Sequence, residues 1–206
     1  MKPSLLSAVV LLAFITSGDS LTAQQGPKSE SKPVGQTTAS KAKVAATLDA
    51  AFQADFKNRI DHYLEVRKQA AKDAPSLKET KDPAKIKAAE DGLAARIQTL
   101  RATAQPGDIF SPEIQKTFRR LLAPEMKGED RKDTKEILKD DAPASVPLKV
   151  NTKYPEKAAL PTVPSNLLLS LPSLPEELEY RIIGKHLILR DTGADLIVDF
   201  IPNAIK

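Results

Sequence analysis

Three short apolar runs, at residues 179–183, 186–190 and 195–201, are separated only by Gly184-Lys185 and by Asp191-Thr192-Gly193-Ala194. Runs this short, closed by glycine-bearing turns, fit antiparallel strands better than any helix. A glycine leading a two-residue connection suits a primed hairpin turn, and Gly193 is expected to take the positive φ of the second turn. Residues 176–206 therefore predict a three-stranded antiparallel β-meander. Alternation points Tyr180, Ile182, Leu187, Leu189, Leu196 and Val198 toward a core. Because Leu187-Ile188-Leu189 and Leu196-Ile197-Val198 are apolar on both faces, the sheet needs a cover on each side. The leucine-rich segment 167–178 is the expected cover for one face. The helices upstream, or a second protomer in a homo-oligomer, are the expected cover for the other. So small a meander depends on the rest of the chain, since folds below about 40 residues lean on disulfides, metals or partners.

Upstream the hydrophobic period becomes helical. Leu48, Phe52, Phe56, Ile60, Tyr63 and Leu64 recur in steps that place them on one face, and Pro75 disfavours helix at the residue before it. Asp82-Pro83 then offers a capping side chain followed by a proline where no amide donor is needed. Ile86, Leu93, Ile97, Leu100 and Ala104 follow at heptad-like spacing, with Glu90 interrupting the seam and Gln105-Pro106-Gly107 ending it. Two helices of roughly 23 to 28 residues joined by about eight predict a helical hairpin. Ser111-Pro112-Glu113 opens a third helix with Ile114, Phe118, Leu121 and Leu122 on one side, and residues 130–139 carry a short fourth. The helical region spans 46–140. Prolines at 143, 147, 155, 161, 164, 172 and 175 then mark residues 141–175 as an extended connector, with a helical turn after Ser165. Its leucines are too numerous to remain in water. The fold class expected from all this is α+β.

The first 23 residues read as a secretory signal peptide: Lys2, an apolar run at 5–15, and Leu21-Thr22-Ala23 before Gln24. That run is too short for a stable membrane span, which needs about 20 apolar residues. Residues 24–45 are Gln, Ser, Thr, Lys, Gly and Pro with little to bury, and are expected to be a disordered tether. The mature chain is thus expected in the periplasm or medium. The chain has no cysteine, so neither disulfides nor a lipid-modified thiol is available there.

The formal charge of +4 comes from 31 Lys and Arg against 27 Asp and Glu, interleaved rather than gathered on one face. With no Trp and 4% aromatic residues, this excludes a nucleic-acid surface, which clusters its cations and stacks bases on rings. His62 and His186 are the only histidines, so a metal or stress sensor would rest on two imidazoles far apart in sequence, and no metal site or other cofactor is expected. No phosphate loop, nucleophile elbow or triad is present.

Residues 187–195, ending Arg190-Asp191-Thr192-Gly193-Ala194-Asp195, resemble the catalytic loop of retroviral-type aspartic proteases. That resemblance implies a peptidase with Asp191 as the catalytic carboxylate. The family also places a flap and an apolar-apolar-Gly strand well downstream of the aspartate. Here only 13 residues follow Gly193, and Ile182-Ile183-Gly184 precedes the motif. Asp191 is therefore expected to be a turn carboxylate that accepts local backbone bonds. The wider stretch from Leu171 to Pro202 resembles the ends of small uncharacterised exported bacterial proteins, with a Tyr180-Arg181 strand, a glycine turn and an Ile197-Val198-Asp199 strand. That resemblance implies bacterial export and no activity. The expectation is a non-enzymatic binding or structural protein, working on an envelope or extracellular protein partner.

Overall fold

The computed structural model describes residues 50–74, 81–127, 131–140, 146–156 and 158–205. The expected signal peptide and tether, residues 46–49 and residues 141–145 lie outside the described residues. The fold is α+β: helices α1 (Ala50–Asp73), α2 (Pro83–Leu100), α3 (Pro112–Leu122) and α4 (Arg131–Asp140), strand β1 (Thr152–Lys153), helix α5 (Ser165–Leu169), then β2 (Leu178–Ile183), β3 (His186–Asp191) and β4 (Leu196–Ile201).

Capping chemistry sets the helix starts. The Asp82 carboxylate accepts from the Ala84 amide at 3.0 Å and the Ser111 hydroxyl from the Ile114 amide at 3.4 Å, each with proline next in the chain. On α1 the expected face is the buried one, with Phe56, Ile60 and Tyr63 inward and Phe52 and Leu64 packed at the margin. On α3 Ile114, Phe118, Leu121 and Leu122 are all buried.

Helix α2 departs from the heptad reading. It ends at Leu100 rather than near Ala104, and its buried face is Ala89, Ala94 and Ile97, while Ile86 and Leu100 are 40% and 43% exposed. Small residues let α2 lie close against α1. The early stop has a tertiary cause: the Arg101 carbonyl accepts from Asn151 Nδ2 at 2.9 Å and its guanidinium donates to the Val198 carbonyl. Glu90, which interrupts the apolar seam, pairs with Lys153 of β1 at 2.9 Å, and Asp91 pairs with the same ammonium.

The meander is present as β2-β3-β4, with Gly184 at φ 58° in the two-residue turn, as a primed turn requires. A fourth strand is added from the connector. Asn151 adopts φ 61° and turns the chain so that Thr152 and Lys153 pair antiparallel with Ile197 and Leu196. The sheet order is β1-β4-β3-β2, with a bulge between Leu189 and Arg190.

Both faces of the sheet are covered, but not as expected. Tyr180, Ile182, Leu187, Leu189, Leu196 and Val198 do face the main core, and Leu167, Leu171 and Val163 join the helices on that same side. The opposite face, built from Ile183, Ile188 and Ile197, is closed by Tyr154 and flanked by Val146, Leu148 and Ala158. That face is narrow because Glu179, Arg181, Arg190 and Asp195 share it, so a short extended chain suffices where the main face needs helices.

Aromatic rings concentrate in the main core. Phe118 meets Phe56, Phe110 and Tyr180 edge-on at centroid distances of 5.3, 5.2 and 5.9 Å. Each such ring contributes about 1.5–3 kcal/mol by burial, with roughly 0.5–1.5 more for edge-to-face geometry.

Candidate functional site

Asp191 ends β3 and is fully buried. Its Oδ1 accepts from the Gly193 and Ala194 amides, both at 2.9 Å, as a turn aspartate should. Its Oδ2 accepts from outside the turn, from the Tyr63 hydroxyl at 2.8 Å and Arg67 Nε at 2.7 Å, both on α1. Four donors fill the roughly four lone-pair sites of an ionised carboxylate. Burial first, and then the neighbouring Asp191 charge, push Tyr63 far above the ordinary tyrosine range, so it remains the donor in this pair.

The reason for glycine at 193 differs from the expected one. Gly193 is not among the residues with positive φ; Asp195, at φ 49°, takes the left-handed step instead. What a side chain at 193 would meet is Arg67: a Cβ there would stand 2.7 Å from Nη2. The glycine leaves room for the guanidinium that Asp191 holds.

Asp199, on β4, is the second buried carboxylate. It accepts from the amides of Gly107, Ile109, Phe110 and Phe200 at 2.8 to 3.2 Å, and so holds the loop between α2 and α3 against the sheet. Between the two aspartates lies Arg101, with its guanidinium 5.1 Å from the Tyr63 ring centroid and bonded to the Val198 carbonyl at 3.3 Å. Burial pulls Arg101 below the ordinary arginine value.

On the opposite face Glu179 receives Arg181 and Arg190, each at 2.6 Å, and Arg190 also donates to Asp195 at 2.7 Å. Burial raises Glu179, but the two arginines outweigh it and hold its carboxyl below the usual range. At Asp195 burial prevails over Arg190 and the carboxyl is raised.

The histidines are not brought together. His62 is exposed on α1, at a cleft of about 500 Å³ shared with Arg59, Arg101 and Asp108. His186 opens β3 and accepts from the Asn203 amide at 3.3 Å. Among the described residues no cluster of three His, Asp or Glu is placed to hold a metal ion.

As polar partners Tyr63, Arg67, Arg101 and Asp199 escaped the sequence reading. One signal was available: Arg67 continues the stripe of Ile60, Tyr63 and Ala70, and a cation on a buried helix face calls for a buried anion.

The open concavities have a different character. A cleft of about 650 Å³ between α1 and residues 169–175 is lined by Phe52, Phe56, Ile60, Leu64 and Leu171. A second, of about 430 Å³, lies between residues 162–174 and β2. Leu169, Leu171, Pro172 and Ser173 border both, so one short segment is a partition between two apolar clefts. No described helix is long and apolar enough to cross a membrane. Comparison with known protein families, with curated proteins and with solved structures finds no match for this chain.

Proposed function

We propose that this chain is exported from a bacterial cell and acts outside the cytoplasm by binding a protein, not by catalysis. The observation that supports this most is how its buried ionisable groups are used. Asp191 and Asp199 each receive four donors, and Arg67 and Arg101 spend their guanidiniums on the sheet, so this network keeps no lone pair free to act as a base or nucleophile. A proton-sharing peptidase pair needs two carboxylates facing each other, whereas the partner of Asp191 is an arginine. Two of the open clefts are walled mainly by Phe, Leu and Pro, the lining of a binding cleft, while a third carries Arg59, His62 and Asp108.

Export is carried by the first 23 residues. The test is expression in a bacterial host, with N-terminal sequencing of the fractionated protein and photo-cross-linking from Leu169, at the cleft partition. A mature chain beginning at Gln24 and a discrete protein adduct from the envelope fraction are expected. Retention of the full-length chain in the cytoplasm, or a pepstatin-sensitive proteolysis lost in Asp191→Asn, would overturn the reading.

A further inference from the structure

Strand β2 is outermost in the sheet on the side away from β1, so one of its edges pairs with β3 and the other does not. The two-residue turn makes Ile183 and His186 a hydrogen-bonded pair, and the unbroken register puts Arg181 and Glu179 in the same inward phase. The N–H and C=O groups of Tyr180 and Ile182 consequently point away from β3. Among the described residues they have no backbone partner on that side.

This edge is recessed. The cleft of about 430 Å³ runs beside residues 178–181, and its far wall carries Val163, Leu168, Leu171 and Leu174. Two polar groups from residues lining it are buried without a hydrogen-bond partner: the Tyr180 hydroxyl and Nε of Arg181. Native structures leave few buried polar groups unmatched. The Tyr180 hydroxyl lies on the core face beside Phe118 and the Arg181 guanidinium on the opposite face, so they flank the edge. The groups open within it are the main-chain ones of Tyr180 and Ile182.

We propose that the cleft takes an extended peptide segment of a partner protein, which adds to the sheet as a strand beside β2. This rests on the reading of the chain as a binding protein and names the chemistry of its partner. The unpaired main chain of Tyr180 supplies register, and the apolar far wall receives alternate side chains of the peptide. At a rise of about 3.3 Å per residue, the stretch along residues 178–181 spans about 13 Å, room for roughly four residues of the visitor. Glu179 and Arg181 at the rim neutralise each other at 2.6 Å, so the segment that fits is extended and weakly charged, with apolar residues at alternate positions.

The test uses the full chain and a synthetic library of octapeptides that alternate one apolar residue with Thr, Ser or Lys, followed by residue-resolved amide hydrogen exchange. Peptides that bind should slow exchange at Tyr180 and Ile182 at least tenfold and leave Glu179 and Arg181 unchanged, because their amides are already paired with β3. N-methylation of one alternate set of peptide amides should weaken binding at least tenfold, and methylation of the other set should not. Leu168→Lys, at a position 42% exposed, should weaken binding at least fivefold with an unchanged Tm. The proposal is overturned if no peptide alters exchange at Tyr180 and Ile182, if protection falls on α1 instead, or if N-methylation is without effect. Protection on α1 would leave the binding reading standing with a different site; cytoplasmic retention would remove that reading whatever β2 does.

Discussion

The two sides of the sheet treat their polar atoms in opposite ways. Along β3 and β4, the buried Asp191 and Asp199 are each surrounded by four donors drawn from α1, the 105–110 loop and neighbouring backbone. Along β2, a buried hydroxyl and a guanidinium nitrogen have nothing to bond. An unmade hydrogen bond in a buried place costs about 1–3 kcal/mol, comparable with what one well-made bond to a charged group contributes. The contrast separates the two carboxylates, whose acceptor sites are all matched, from groups such as these and Asn151 Oδ1, which are not.

The severest way to break that contrast is Asp191→Ala. It strands Arg67 and Tyr63 without their acceptor and should cost about 3 kcal/mol, since removing one partner of a buried ion pair leaves the other uncompensated. Urea denaturation measures it; a loss below about 1 kcal/mol would mean the junction contributes no more than a surface pair. Asp199→Asn keeps the size but places an amide where four backbone N–H groups converge, and should cost about 2 kcal/mol by the same assay. Gly193→Ala pushes a methyl at the Arg67 guanidinium, and a loss of about 1 kcal/mol is expected, visible as a lower Tm. If Arg67→Ala is combined with it, the penalty of the added methyl should disappear, which separates the steric cause from a backbone one. Tyr180→Phe has the smallest effect and sharpens the comparison most: removing a hydroxyl that bonds to nothing should leave Tm unchanged or raise it slightly. A clear loss of stability in that variant would show that the hydroxyl is satisfied after all.

How much of this was readable in the sequence depended on the range of the interaction. The turn at Gly184, the caps at Asp82 and Ser111, and the inward set from Tyr180 to Val198 follow from neighbours within a few residues, and they stand as expected. The misplaced features all depend on partners far away. Helix α2 stops early because Asn151 and Val198 claim Arg101, and β1 exists because β4 has an edge to offer two residues of the connector. Leu167 and Leu171 went to the helix side because the other face was already occupied by charged pairs. Asp191 was read as a turn residue, and that half was right; the half that ties it to α1 requires knowing which helix face meets the turn. Glu90 looked like a flaw in a seam until Lys153 arrived opposite it.

The tie between Asp191 and α1 spans 124 residues to Arg67 and 128 to Tyr63. Synthesis runs from the amino end, so α1 waits with an unmatched arginine on its inner face while the helices, the connector and two strands are made. Nothing local can release it, and non-local pairings of this length are the slow ones in folding. The chain is thereby held back from its final form until β3 exists. A polypeptide that finishes folding only when nearly all of it has been made stays threadable in the meantime, a state that would suit the export proposed for it.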